Sequence, residues 1–412
     1  MINGPVKTID LFSGCGGLSE GFEKTGKYNF IAHVEWENAP CKTLKKRISA
    51  KWKYSDPEDR VIHFDIQRTK ELLNGWNDDE FYGSCYGLRK LTDNAKGIDL
   101  IIGGPPCQAY SLAGRIRDEH GMQFDYRNYL FESYLDIVRN LKPSIIVFEN
   151  VPGILSAKPG GILIANRIRE AFSAAGYELV EDFKKYALID FKLFGVPQNR
   201  TRVILFGLNK MTFKGNRQQL IKHFYADMLS KRQKSKIHTV KDAILDMPEF
   251  YPSKEDYRNL GRTYSHKPFE SNIANHSPRY HNRRDIDIFH TLAQDIEDGI
   301  CKYTSIEYLK QLYTEKTNKI SNVHKYYVLR WSEPSNTIPA HLFKDGLRHI
   351  HPDPKQSRSI TVREAARLQT FDDDYVFLGS MGDQYKMIGN AVPPKFAKEL
   401  GSALWEFIEN YL

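Results

Sequence analysis

Between Val6 and Leu208 the chain repeats one pattern: a short apolar run, a turn that carries glycine or a charged residue, then a helical stretch. Val6 to Phe12 leads into Ser13-Gly14-Cys15-Gly16-Gly17, and Phe30 to Val34 leads into Glu35-Trp36. Val61 to Phe64 ends at Asp65, and Ile98 to Ile102 ends at Gly103-Gly104-Pro105-Pro106-Cys107. Ser144 to Phe148 ends at Glu149-Asn150, and Arg202 to Leu208 closes the series. Between them, Leu130, Phe131, Tyr134, Leu135, Val138 and Leu141 share one helical face. Short continuous apolar runs suit strands covered on both faces, which is what a parallel sheet flanked by helices requires. The predicted fold class is therefore α/β, a doubly wound, mostly parallel sheet. Such sheets bind ligands outside the carboxyl ends of their strands, so the turns are where function is expected.

Cys107 stands out among those turns. The prolines before it fix φ, and the glycines let a ligand or another backbone come close. A cysteine is most often a buried, inert packing residue; at the end of a Gly-Gly-Pro-Pro turn it is instead presented as a nucleophile would be. Glu149 follows at the next strand end, where an ionisable acid is costly unless it is paired or used. Arg200 and Arg202 lie two apart on an extended stretch, so their side chains point to one side and suit a carboxylate or a phosphate.

The turn Phe12-Ser13-Gly14-Cys15-Gly16-Gly17-Leu18 lacks the Gly-Lys-Ser/Thr of a phosphate loop and the usual dinucleotide spacing. Its glycines allow close approach of a cofactor, although a structural turn would look the same. Glu35 stands where an acid commonly binds ribose hydroxyls. Trp36 suits packing on an adenine, and Asp65 suits its amino group. Each alone also fits a structural role; their order along successive strand ends points to a cofactor containing a nucleoside.

After Leu208 the rhythm stops, and a smaller, loop-rich second domain is expected. Of the net charge of +8, the whole excess lies between Leu208 and Ser357, which holds 25 Lys and Arg against 17 Asp and Glu. Ten of the 13 histidines are there too. Charge confined in this way fits a polyanion partner, or a solvated surface with a chance bias. The densest basic-aromatic stretches are His324-Lys325-Tyr326-Tyr327 and Arg279-Tyr280-His281-Asn282-Arg283-Arg284; the latter also reads as the start of a charged helix. Order returns where Thr361 and Glu364 form a capping box for a helix from Val362 to Gln369. A last helix, Lys395 to Asn410, carries an apolar stripe of Phe396, Leu400, Leu404, Phe407 and Ile408. The five cysteines have no paired spacing, so neither a disulfide framework nor a metal site is expected. No leader segment and no membrane span are expected either.

Taken in order, these blocks resemble the cytosine-5 DNA methyltransferase family, in its bacterial restriction–modification form. Asp10 to Gly17 is similar to that family's S-adenosylmethionine turn, and Gly103 to Gln108 to its nucleophile block. Phe148-Glu149-Asn150-Val151 resembles the catalytic acid block, and Gln198 to Arg202 the Gln-x-Arg-x-Arg block. Arg363 to Phe371 and Gly389-Asn390-Ala391-Val392-Pro393-Pro394 resemble the last two. Cys15, where a smaller residue is commoner, and Asp372, where proline is frequent, depart from the pattern without touching the chemistry.

The resemblance implies a sheet of the S-adenosylmethionine-dependent methyltransferase type. It divides the chain into a catalytic and cofactor-binding domain (1–207), a target recognition domain (208–371) and a returning C-terminal segment (372–412). Cys107 would attack carbon 6 of a flipped-out cytosine, Glu149 would hydrogen-bond ring nitrogen 3, and Arg200 and Arg202 would hold the base and Glu149 in place. Phe12, Ser13, Gly14, Gly16, Gly17, Leu18, Glu35, Trp36, Asp65, Ile66, Pro106, Leu130, Asn390 and Val392 would surround the cofactor. No metal is needed. Residues 109–127 would form a mobile loop closing over the base, with Arg115 and Arg117 as phosphate contacts or merely solvated charge. The partner would be double-stranded DNA, met by a cytoplasmic, monomeric enzyme with a cognate restriction endonuclease acting separately. The alternatives are a tRNA cytosine-5 methyltransferase, which shares every catalytic block, and a non-catalytic DNA-binding regulator, which would not need Cys107, Glu149 and both arginines. A nucleotide-dependent dehydrogenase is disfavoured by the glycine spacing.

Overall fold

A computed structural model describes residues 4–106, 130–158, 161, 163–259, 261–268, 270–320 and 326–412. The chain divides into two compact bodies. The first comprises Met1–Gly195, Arg200–Ser235 and Ala391–Leu412; the second comprises Val196–Asn199 and Lys236–Asn390.

The strands of the first body are β1 (Val6–Leu11), β2 (Tyr28–Glu35), β3 (Val61–His63), β4 (Trp76–Asp79), β5 (Gly83–Cys85), β6 (Leu100–Gly103), β7 (Ile145–Asn150), β8 (Tyr177–Leu179), β9 (Leu188–Asp190) and β10 (Thr201–Asn209). The main sheet runs β3-β2-β1-β6-β7-β10-β8, with β9 also on β10, while β4 and β5 form a separate hairpin. From β3 to β7 all neighbours are parallel. The edge beyond is antiparallel, because β10 runs against β7, β8 and β9. The chain steps outward from β1 to β2 and β3, then returns to β6 on the other side of β1. That reversal makes the carboxyl ends of β1 and β6 the switch point at which an open sheet offers a crevice.

Complete burial explains the unalternating apolar runs: Ile101, Ile102, Ile145, Ile146 and Val147 have no exposed surface. Tyr134 of the helix Leu130–Leu141 meets Phe148 edge-on at 5.3 Å, and Phe172 of the helix Ile164–Ala174 meets Phe148 at 5.6 Å. The C-terminal helix, Pro394–Tyr411, buries the expected stripe in this body. Its close approach depends on Gly21, where a Cβ would stand 2.3 Å from the Cβ of Ala397. Tyr28 completes the seam by donating its hydroxyl to the Gly401 carbonyl at 2.6 Å.

The second body holds more regular structure than its polar sequence suggests. Strands β11 (Tyr251–Asn259) and β12 (Arg262–Lys267) form an antiparallel hairpin. Most of β11 is exposed, so it carries no apolar alternation to betray it. The helix Arg283–Glu297 is capped by Asn282, which accepts from the Asp285 amide at 2.9 Å. This bears out the charged-helix reading of that stretch. Ile288, Phe289 and Leu292 pack with Leu309 and Leu312 of the helix Ile306–Thr317, and with Tyr326, Val328 and Ile350. Tyr326 is thus a core residue; His324 and Lys325 lie outside the described residues. The capping box of Thr361 and Glu364 starts the helix Val362–Leu368. Among the described residues no helix is long and apolar enough to cross a membrane.

Candidate active site

The acid, the arginines and the Gly-Pro turn come together in the first body. Glu149 is the penultimate residue of β7, opposite Ile204 of β10. Because β10 runs antiparallel, Arg202 enters beside the carboxyl end of β7. Its Nε lies 3.1 Å from Oε1 of Glu149. Burial pushes the Glu149 carboxyl above its usual range, opposed by the charges of Arg202 and then Arg200. Arg200 is itself buried and donates from Nη2 to the Ala391 carbonyl at 3.1 Å.

The turn after β6 is tied to the same place. Asn150 donates from Nδ2 to the Pro105 carbonyl at 3.3 Å, joining the end of β7 to the Gly-Pro turn. A Cβ on Gly104 would stand 2.7 Å from Oε2 of Glu149. Gly104 is therefore the space the carboxylate occupies, a role that its place in an ordinary-looking Gly-Pro turn does not announce. Gly103 serves the sheet instead, since a Cβ there would meet the Leu11 carbonyl oxygen at 2.5 Å. Cys107 and residues 108–129, including the expected loop with Arg115 and Arg117, lie outside the described residues. Pro106 is exposed at the edge of that segment, and Leu130, half-buried, opens the following helix.

On the other side of the switch point, the turn after β1 holds Phe12 at φ 61° and Gly14 and Gly16 at φ 55° and 83°. A left-handed phenylalanine is a costly conformation that the surroundings must impose. Ser13, Gly16, Gly17 and Leu18 are buried, and Gly14 is half-buried with nothing in front of it that a Cβ would meet. Glu35 grips this turn. Its Oε2 accepts from the Gly14 amide at 2.8 Å, and its Oε1 accepts from the Trp36 and Glu37 amides, both at 2.9 Å. Burial nevertheless raises its carboxyl to about 7, against those amides.

Trp36 is 53% exposed although it directly follows a buried strand. Asp65, half-buried at the end of β3, accepts from the Gln67 amide at 3.0 Å through Oδ1 alone, and Ile66 beside it is buried. Two carboxylate oxygens and an uncovered indole at the end of β2, and a second carboxylate just past β3, thus lie at successive strand ends. Those acceptors and that ring face fit a nucleoside, whose hydroxyls, base face and amino group they would satisfy. Val392 is buried in the first body. Asn390 is the exposed last residue of the helix Met381–Asn390 and belongs to the second body.

Four features of these blocks are supporting rather than reactive. Asp10, fully buried under the turn, accepts from the Ser19 hydroxyl, which also lies 3.2 Å from Nδ1 of His33. Burial raises Asp10 to about 7 and lowers His33 to about 3, so the imidazole is neutral. Nothing in the sequence marks His33. In the second body, Gln198 donates to Oε1 of Gln369 at 2.6 Å and accepts from the Ile338 amide at 3.0 Å. Arg363 donates to the carbonyls of Ala274, Asp372 and Tyr375 at 2.6–2.9 Å. Gly389 lets its helix lie on the backbone, since a Cβ would meet the Ala340 nitrogen at 2.4 Å.

Comparison with known proteins shows the family to which the chain belongs. The family model described as C-5 cytosine-specific DNA methylase matches residues 6–406. Type II methyltransferase M.Bpa9945I of Bacillus paralicheniformis is 35% identical over 455 residues, covering 98% of this chain and 99% of the relative. Type II methyltransferase M.DdeI of Desulfomicrobium norvegicum is 30% identical over 423 residues, covering 98% and 90%. Among solved structures, an E. coli prophage protein crystallised under the description of a DNA modification methyltransferase superposes with a TM-score of 0.59 at 24% identity. It covers 98% of this chain and 99% of that one, a likeness that bears on the fold alone.

Proposed function

The chain belongs to the C-5 cytosine-specific DNA methylase family, and from that premise we propose how its own residues carry out methyl transfer to carbon 5 of cytosine in DNA. Carbon 5 is a poor nucleophile until something adds to carbon 6. Cys107 is assigned that addition, as thiolate. Its Sγ–carbon 6 bond forms as Glu149, carrying a proton, hydrogen-bonds ring nitrogen 3 and relieves the charge that develops there. Arg202 and Arg200 hold Glu149 and the base. After transfer, the carbon 5 proton is lost, its bonding pair restores the carbon 5–carbon 6 double bond, and the Sγ–carbon 6 bond breaks to return Cys107 as thiolate. Burial supports this role for Glu149, because it favours the protonated form that can donate.

S-adenosylmethionine supplies the electrophilic methyl group when bound. Glu35 would accept from its ribose hydroxyls, Trp36 and Ile66 would cover the adenine, and Asp65 would accept from the adenine amino group. The turn Phe12 to Leu18, with Pro106, Leu130 and Val392, would complete the site within the first body. Recognition of duplex DNA is assigned to segment 208–371, whose basic part is 208–357, with the target base flipped out to reach Cys107. We further propose that the enzyme acts as a monomer, in the cytoplasm, beside a separate restriction endonuclease of the same specificity.

The observation that carries this reading is the Arg202–Glu149 pair held against Gly104, three residues before Cys107. The test is transfer of a labelled methyl group to duplex DNA and, in parallel, to tRNA, with the wild type and Cys107→Ala. Duplex DNA is expected to be labelled by the wild type alone. Labelling of tRNA instead, or turnover by Cys107→Ala, would overturn it.

A further inference from the structure

We infer that the β4–β5 hairpin adds a hydrogen-bond donor, the phenol of Tyr82, to the nucleoside end of the methyl-donor site, where it works beside Asp65. The inference rests on the donor-site reading above. The hairpin follows the end of β3 and is built to hold its tip still. Trp76 stacks on Phe64 with ring centres 3.7 Å apart and donates from Nε1 to the Tyr82 carbonyl at 3.4 Å. Asp79 accepts from the Phe81 and Tyr82 amides at 2.9 and 3.0 Å, and from Arg68 at 2.7 Å. Arg68 is braced in turn by Glu71.

This scaffold sets the Tyr82 ring against the two residues that precede Asp65. Its ring meets His63 at 5.1 Å and Phe64 at 5.0 Å, both edge-on. His63 reaches the other way, with Nε2 2.9 Å from the Trp36 carbonyl. One short chain of contacts therefore joins Trp36, the end of β3 and Tyr82. The Tyr82 side chain is half-buried, and its hydroxyl has no hydrogen-bond partner among the described residues. Burial and the nearby charge of Asp65 keep that hydroxyl protonated, so it donates.

The chemistry of adenine makes the pairing meaningful. Its amino group is a donor with an acceptor ring nitrogen beside it. Asp65 offers the acceptor and Tyr82 the donor. Hypoxanthine reverses both positions, with a carbonyl oxygen next to an N–H. The two side chains together would select one edge and reject the other, since a mismatched polar edge leaves groups unpaired.

The test compares S-adenosylhomocysteine with S-inosylhomocysteine by titration calorimetry on the full chain. The wild type is expected to favour the adenosyl ligand. Tyr82→Phe keeps the ring contacts and loses only the donor; adenosyl affinity is expected to fall about three- to tenfold, with inosyl affinity unchanged and the ligand-free melting temperature unchanged. A purely structural role would weaken both ligands equally, and that result, or no loss at all, overturns the inference. Asp65→Asn separates the two levels. If it abolishes the preference while Tyr82→Phe does not, the donor-site reading stands and Tyr82 has no part in it. If neither variant changes adenosyl binding, the donor-site reading itself fails.

Discussion

Nε of Arg202 stands 3.1 Å from Oε1 of Glu149, with the two side chains 14% and 13% exposed. The contact exists because β10 runs against β7; a parallel β10 would carry Arg202 to the other end of the sheet. The cation opposes the burial that raises the Glu149 carboxyl. Removing it leaves burial less opposed, so the Glu149 pKa rises further. If the protonated acid donates to the base, Arg202→Gln should shift the alkaline limb of the kcat profile to higher pH while lowering kcat. Glu149→Gln should lower kcat by about 10²–10⁴ and leave S-adenosylhomocysteine affinity within twofold. An unmoved limb in Arg202→Gln would separate the arginine from the titration of Glu149.

Gly104 offers a sharper test of the same geometry. A Cβ there would meet Glu149 Oε2 at 2.7 Å, and that atom is the far end of a side chain that can swing aside. Folding should therefore tolerate Gly104→Ala, with a melting temperature close to that of the wild type. The displaced carboxylate should cost about tenfold or more in kcat, since misplacement of about 1 Å is worth that much. Loss of stability with retained specific activity would show that Gly104 serves the fold and not the acid.

Much of the first body was legible because buried parallel strands announce themselves. Ile98 to Ile102 reads as a strand, and Leu100–Gly103 forms one. The catalytic-looking residues follow at the strand ends for the same reason: the sheet puts them at one edge. The direction of β10 was not legible, since Arg202 to Leu208 is equally apolar in either sense. Nor was the hairpin of β11 and β12, whose exposed residues need no apolar pattern. Gly104 and Asp10 were named only as parts of blocks; their work depends on Glu149 and Ser19, which lie far off or on another element. Spacing along a chain does not encode such encounters.

Binding of the donor should depend on pH through Glu35. Burial raises this carboxyl to about 7, helped by the charge of Glu37 and opposed by the amides of Glu37, Gly14 and Trp36; Asp10 below the turn is also raised to about 7. The ionised form is the stronger acceptor for ribose hydroxyls. Acid therefore protonates Glu35 and weakens binding. S-adenosylhomocysteine affinity should be flat above about pH 8 and fall by up to about tenfold per unit below 7. Glu35→Gln should bind more weakly and lose most of that slope, which calorimetry at several pH values would read. A slope that persists in Glu35→Gln and vanishes in Asp10→Asn would assign the titration to Asp10.

Arg358 and Glu364 give the second body its own pH limit. Both side chains are fully buried, and Nη2 and Nη1 of Arg358 each lie 2.7 Å from one oxygen of Glu364. Burial alone would raise the Glu364 carboxyl; the charge and hydrogen bonds of Arg358, helped by His351 and His276, outweigh it and leave it well below its usual range. A depressed carboxylate stabilises the fold fully above its unfolded value of 4.5, and that contribution is lost as pH falls through the folded value. Glu364→Gln leaves the arginine charge buried without its partner, at a cost of about 3–5 kcal/mol near neutrality. Urea unfolding should show that difference unchanged between about pH 6 and 8. It should shrink below about pH 4.5, where unfolding of the wild type takes up a proton at Glu364. A difference that held constant down to pH 3 would mean that the ion pair is not what Glu364 contributes.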